Sequence, residues 1–144
     1  MLCKYQPYKV HETISVFSKK RHTYIPQMTK GKPYISGKGT SGEITNNVVK
    51  KQTKNNGTRY PRSIQKINTD KSKGSLHPTQ KPVALLEYLI KTYTNEGETV
   101  LDNTMGSGST GEACLRTNRN FIGIEQDENY YNIAYNRING YIYE

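Results

Sequence analysis

The 144-residue sequence predicts a parallel α/β sheet in its second half. Three observations predict it. After Gly74 apolar residues recur at helical and then at strand spacing, in an order of strand, helix, strand, helix with short links. A glycine-rich turn follows the first of those strands, and an acidic residue closes the second.

The elements follow in chain order. Before Gly74 only Thr13-Ile14-Ser15-Val16-Phe17 alternates apolar with polar or small residues, which predicts one short strand. From Ser18 to Ser75 the chain is rich in Lys, Gly, Asn, Thr and Ser, with turn pairs at Asn56-Gly57 and Tyr60-Pro61. Its apolar residues come singly or in pairs, so it reads as a long loop, and a loop of that length is either functional or disordered. Tyr24, Tyr34 and Tyr60 within it are candidates to stack on bases or to pin the loop to its scaffold.

Pro82 suits a first helical turn, and Val83, Leu86, Leu89, Ile90 and Tyr93 then mark one apolar face, with Gly97 as a stop signal. Thr99 to Asp102 reads as a buried strand that runs into the turn. A helix over about Thr110 to Thr117, a strand over Phe121 to Glu125 and a last helix carrying Tyr130, Ile133, Ala134 and Ile138 complete the order, with Asp127 placed to cap that helix.

Charge divides the chain in the same place. Up to Ser75 there are 16 Lys and Arg against 3 Asp and Glu; from Leu76 onward there are 5 against 9. A basic half beside a slightly acidic one fits a polyanion partner for the first, since clustered cations on a phosphate backbone release counterions; a solvated basic linker is the alternative. A hydrophobic content of 33% is low for a core of this length, so part of the chain is expected to lie outside the core. Met1-Leu2-Cys3-Lys4 leads into no apolar signal region and no run reaches membrane-spanning length. The expectation is a cytoplasmic protein without membrane contact, with Cys3 and Cys114 as reduced thiols.

The chemistry centres on Val100-Leu101-Asp102-Asn103-Thr104-Met105-Gly106-Ser107-Gly108-Ser109-Thr110-Gly111. Glycines at the end of a strand let a ligand approach the backbone where a Cβ would block it, and the next helix adds free N–H donors. Gly106 to Gly111 spells G-x-G-x-x-G, and Glu125 ends the next strand, where a carboxylate can accept hydrogen bonds from ribose hydroxyls. On these residues alone a dinucleotide and an adenosyl cofactor are both possible, as is a tight turn without a ligand.

Immediately upstream stands His77-Pro78-Thr79-Gln80-Lys81-Pro82, and with it the sequence resembles the DNA N6-adenine and N4-cytosine methyltransferases, in the class whose catalytic motif precedes the cofactor motif. The resemblance spans Leu76 to Ile138: HPTQKPVALLEYLIKTYTNEGETVLDNTMGSGSTG, then FIGIEQDENYYNIAYNRI, three segments in the family's order and spacing. It implies a partial Rossmann-like, S-adenosylmethionine-dependent methyltransferase fold with a long basic loop region. Residues 1–18 would hold the strand that follows the catalytic segment, with Val10 to Lys19 carrying that likeness. Residues 19–75 would be a target-recognition-like region, partly disordered, and 76–144 the S-adenosylmethionine-binding subdomain.

Carried over by position, the resemblance implies that Asp102, Met105, Gly106, Ser107, Gly108 and Ser109 surround the methionine part of S-adenosyl-L-methionine. Glu125 would take the ribose hydroxyls, Gln126 and Asp127 would lie beside the adenine, and Thr79, Gln80 and Lys81 would line the far wall near the methionine carboxylate. Where many members carry Phe, this chain has Met105, whose thioether can replace the ring as an apolar wall. Lys19, Lys20, Arg21, Lys30, Lys32, Lys38, Arg59 and Arg62 are the implied contacts to double-stranded DNA.

One family feature is absent. The methyl transfer motif, Asp-Pro-Pro-Tyr or Ser-Pro-Pro-Tyr, needs adjacent prolines, and no two of the 6 prolines here are adjacent. No catalytic residue is therefore assigned, and no metal ligand. The expectation is a truncated product or one half of a split enzyme, inactive alone. Its cofactor strand would lack a neighbour, which predicts self-association or a complementing chain. Adenine is the expected target, from the likeness of the cofactor region to adenine-specific members. A degenerate remnant or DNA-binding accessory is the second reading. A nicotinamide-dependent oxidoreductase is the third, against which His77 to Pro82 and the basic region count.

Overall fold

A computed structural model describes residues 11–36, 39–40, 49–50, 52–68 and 80–140. Two parts can be followed, a slender β arm and a small α/β unit.

The arm is formed by six two-residue strands, β1 (Thr29–Lys30), β2 (Tyr34–Ile35), β3 (Gly39–Thr40), β4 (Val49–Lys50), β5 (Lys54–Asn55) and β6 (Thr58–Arg59). They pair antiparallel and nested, β1 with β6, β2 with β5 and β3 with β4, so the chain runs out and returns alongside itself. Where the sequence reads as a loop there is thus a two-stranded ribbon. The Asn56-Gly57 pair lies opposite a bulge: the register slips by one residue between Lys30↔Thr58 and Tyr34↔Asn55, with the extra residue in Gly31-Lys32-Pro33. Gly57 has φ +98°, a left-handed conformation that side chains resist, and its carbonyl accepts the Gly31 N–H at 2.7 Å.

Ahead of the arm, residues 11–28 cross the surface without regular structure. The strand expected at Thr13 to Phe17 is not formed. Apolar alternation makes a strand only where another strand lies alongside, and no described residue pairs with this segment. Ile14, Val16 and Phe17 stay exposed, Phe17 by 91%.

The α/β unit comprises α1 (Val83–Tyr93), β7 (Thr99–Asp102), α2 (Ser109–Arg116), β8 (Asn120–Gly123) and α3 (Glu128–Gly140). β7 and β8 are parallel, with Thr99↔Asn120 through Asp102↔Gly123 in register, as the sequence predicts. β8 is shorter at its end than the expected Phe121 to Glu125, because β7 offers four partners. Beyond them Ile124 donates its N–H to Asp102 O at 2.9 Å, and Glu125 turns out of the ladder.

Val83 and Ile90 from α1 meet Ala113 and Cys114 from α2, with Leu86, Val100 and Phe121 packed against them. Gly111 admits α3 closely; a Cβ there would overlap Ile138 and Phe121. The other face of the strands carries Leu101, Ile122 and Ile124, 62%, 54% and 54% exposed, and β7 and β8 pair only with each other among the described residues. Ile25 N–H donates to Thr92 O at 2.8 Å and Gln27 Nε2 to Lys91 O at 3.2 Å, which ties the root of the arm to α1. No helix among the described residues is long and apolar enough to cross a membrane.

Burial pushes the Cys114 thiol up to about 11. In a Cys3→Ser chain, alkylation of Cys114 at pH 8 should run about a hundredfold more slowly in the folded protein than in denaturant, the thiolate being the reactive form. Equal rates would mean that the α1/α2 core does not form.

Candidate functional site

The site is built where the two parallel strands end. β7 delivers Asp102, β8 delivers Glu125 two residues past its last pair, and the turn 103–108 crosses between them into α2. In an open parallel sheet this crevice at the carboxyl ends is where ligands bind.

Several polar groups of the turn have defined partners. Met105 N–H donates to Ile124 O at 3.0 Å, Gly106 N–H to Glu125 Oε2 at 2.8 Å, and Gly108 N–H to Met105 O at 3.0 Å. Asp102 accepts Thr104 N–H on Oδ1 at 3.1 Å and the Thr110 hydroxyl on Oδ2 at 2.6 Å, so it orders the turn from inside. Gly106 and Gly108 take φ +54° and +78°, and a Cβ on Gly108 would sit 2.9 Å from Ala134 of α3. Gly108 is therefore required by geometry, and Gly106 is favoured by its backbone conformation.

Glu125 is the hub. Besides Gly106 it accepts the N–H groups of Gln126 at 2.9 Å and Asp127 at 3.0 Å, both on Oε1. These backbone donors, Asp127 first, hold its carboxyl below the usual carboxylate range, so it is charged at neutral pH. The lowered pKa means that its contribution to stability is present at neutral pH and is lost as pH falls through that depressed value. A carboxylate has about four acceptor positions, and three are taken, which leaves Oε2 room for one more donor.

The remaining sequence-predicted residues divide. Gln80 comes to the turn, its Oε1 accepting the Ser107 hydroxyl at 3.0 Å. Ser107 and Ser109 are buried. Met105 is buried too, with its sulfur over Gly123, so it packs beneath the turn. Asp127 Oδ1 accepts the N–H groups of Asn129 and Tyr130 at 2.9 and 3.1 Å and caps α3, as expected. The Gln126 residue is exposed. Lys81 reaches out to Glu12 at 2.9 Å in an exposed ion pair instead of lining the turn. Thr79 lies outside the described residues.

Two residues that the sequence reading missed complete the site. Glu112 of α2, 4% exposed, pairs with Arg137 of α3 and with Arg116. Arg137 Nη1 also donates to Ser107 O at 3.2 Å. Glu112 and Arg137 are 25 residues apart, so no local pattern joins them; a charged residue among Gly111, Ala113 and Cys114 was the available signal.

Among the basic candidates, Lys19, Lys20, Arg21 and Arg62 are exposed outside the arm, and Lys30 and Lys32 are exposed on it. Arg59 is engaged within the arm: its guanidinium lies 4.7 Å over the Tyr34 ring and donates to Lys32 O at 2.7 Å and to Asn55 Oδ1. Lys38 lies outside the described residues. A cavity of about 410 Å³ beside Gln27, Lys91, Asn95 and Arg119 is at the far ends of α1 and α2, away from the turn. Among the described residues no cluster of His, Cys, Asp or Glu could hold a metal.

The sequence model of the DNA methylase family matches residues 4–136. The chain is 48% identical over 62 residues to the type II methyltransferase M2.DpnII of Streptococcus pneumoniae, covering 43% of this chain and 23% of that protein. It is 32% identical over 126 residues to the type II methyltransferase M.HindIII of Haemophilus influenzae, covering 82% and 41%. The matched stretches thus cover less than half the length of these relatives. Among solved structures, the M1.HpyAVI–SAM complex is similar with 28% identity and a TM-score of 0.47, over 78% of this chain and 63% of that one. The cytosine-N4-specific PvuII DNA methyltransferase matches at 23% identity and a TM-score of 0.44, over 56% and 39%.

Gly108→Ala is expected to destabilise the chain by about 2–4 kcal/mol, from the left-handed backbone and the overlap with Ala134 together. Urea unfolding followed by circular dichroism measures it; a loss below about 0.5 kcal/mol would mean that the turn and α3 are not in contact.

Proposed function

The chain belongs to the DNA methylase family, and on that footing we propose that it forms the S-adenosylmethionine-binding portion of a DNA amino-methyltransferase, with adenine N6 as the target atom. The observation that carries the reading is the pairing of Glu125 with Gly106 N–H across the ends of two parallel strands. It sets a charged acceptor beside a turn with no Cβ at Gly106 and Gly108, which suits a ribose diol next to a closely approaching ligand.

Each residue then has a task toward the cofactor. Glu125 accepts a ribose hydroxyl on its remaining acceptor position, and Gln126 and Asp127 border the adenine. Asp102, Met105, Gly106, Ser107, Gly108 and Ser109 shape the cradle for the methionine part, with Gln80 holding Ser107. The first N–H groups of α2 lack intrahelical acceptors and favour that carboxylate. When bound, the cofactor supplies an electrophilic methyl group; this chain holds and orients it.

The arm and its approach are the proposed DNA contact. Lys19, Lys20, Arg21, Lys30, Lys32 and Arg62 offer phosphate contacts, with Lys38 of the same sequence stretch in the basic set, and a two-stranded ribbon matches the width of the major groove. The 144 residues hold no adjacent prolines, so these residues alone do not transfer the methyl group. The edges of β7 and β8, unpaired with further strands among the described residues, support completion by further strands, and the apolar face of Leu101, Ile122 and Ile124 supports a layer packed on it, from a complementing chain or a second copy.

Calorimetric titration of the chain with S-adenosylmethionine tests the reading, with NAD as the control ligand and Gly106→Val as the negative variant. Saturable binding of S-adenosylmethionine alone, lost in the variant, is expected, together with no transfer of labelled methyl to DNA. Binding of NAD instead would overturn the proposal.

A further inference from the structure

Glu112 raises an electrostatic problem at the candidate site. It is a buried carboxylate in the first turn of α2, four residues after Gly108. The N-terminus of a helix attracts negative charge, and here the chain already places one inside it. Any anion brought to that helix end meets the field of Glu112, poorly screened because the group is buried.

Two guanidinium groups answer it. Arg116 approaches from α2 itself, and Arg137 from α3 through Nε. Arg137 is the more enclosed of the two, its side chain 14% exposed against 38%. It also reaches the turn: Nη1 donates to the Ser107 carbonyl at 3.2 Å, while the Ser107 hydroxyl is held by Gln80 at 3.0 Å. One helical turn earlier, Ala134 lies against Gly108. Arg137 therefore shares the neutralisation of Glu112 with Arg116 and also holds the peptide that joins Ser107 to Gly108.

We propose that Arg137 is a positioning residue for the amino-acid end of the cofactor: by offsetting the charge of Glu112 alongside Arg116 and by holding the Ser107 carbonyl, it makes the N-terminus of α2 able to receive an α-carboxylate. This rests on the cofactor reading given above. Its signature is selectivity by ligand. An adenosyl thioether that carries the α-amino acid feels the loss of Arg137, and the same thioether without it does not.

The experiment titrates S-adenosylhomocysteine and 5′-methylthioadenosine into the unmodified chain, Arg137→Met, Glu112→Gln and the double variant, with a thermal melt of each. Arg137→Met should weaken S-adenosylhomocysteine by about ten-fold and change 5′-methylthioadenosine by less than about two-fold. Glu112→Gln should leave the first affinity intact or tighten it, and the double variant, with both charges removed, should recover most of the loss. Equal weakening of both ligands, or of neither, overturns the proposal. Should Arg137→Met fail to fold, a Glu112→Gln chain that binds S-adenosylhomocysteine about ten-fold more weakly would overturn it as well. An unmodified chain that binds neither ligand would instead overturn the cofactor reading itself.

Discussion

Everything at the candidate site depends on one carboxylate. Glu125 accepts three backbone N–H groups, one from the turn after β7 and two from its own exit after β8. A side chain that binds both exits fixes their separation, together with the backbone bonds that Ile124 makes to Asp102 and Met105. From there the geometry propagates. The chain leaves Glu125 in the direction that lets Asp127 cap α3, and α3 then lays Ala134 on Gly108 and Arg137 on Glu112. Charge, turn and helix are arranged around this acceptor, and its depressed pKa is the electrostatic record of that arrangement.

The α/β unit was legible in the sequence because its signals are local. Val83, Leu86 and Ile90 share a helix face by spacing alone, Asp127 caps by its chemistry, and glycines mark the turn since most side chains resist its positive φ values. What failed was non-local. Thr13 to Phe17 has strand composition, yet a strand exists only with a neighbour. The arm went unread for the opposite reason: its strands are two residues long, are held by backbone bonds and by Arg59 stacked on Tyr34, and carry no apolar alternation. Glu112 and Arg137 meet only because α2 and α3 pack together.

The two halves of the chain also manage charge differently. In the α/β unit, cations are consumed internally: Arg119 is buried against Thr94 and Thr117, and Arg116 and Arg137 share Glu112. In the arm, Arg59 plays that internal part, which leaves the exposed lysines to define the outward potential. A count of basic residues therefore overstates the surface available to a polyanion, and the positions engaged within the fold can be told apart only by their partners.

The slip at Gly57 has one more effect. A two-stranded ribbon has two open edges, each a template on which another chain can add strands and begin an aggregate. A bulge increases the local twist and bends the ribbon, so neither edge stays straight over the length that cross-strand stacking between molecules requires. With Lys30, Lys32 and Lys54 along the same stretch, an incoming strand meets repulsion as well as curvature. The irregularity that interrupts the ladder thereby works against edge-to-edge pairing, and restoring perfect register there would remove that protection.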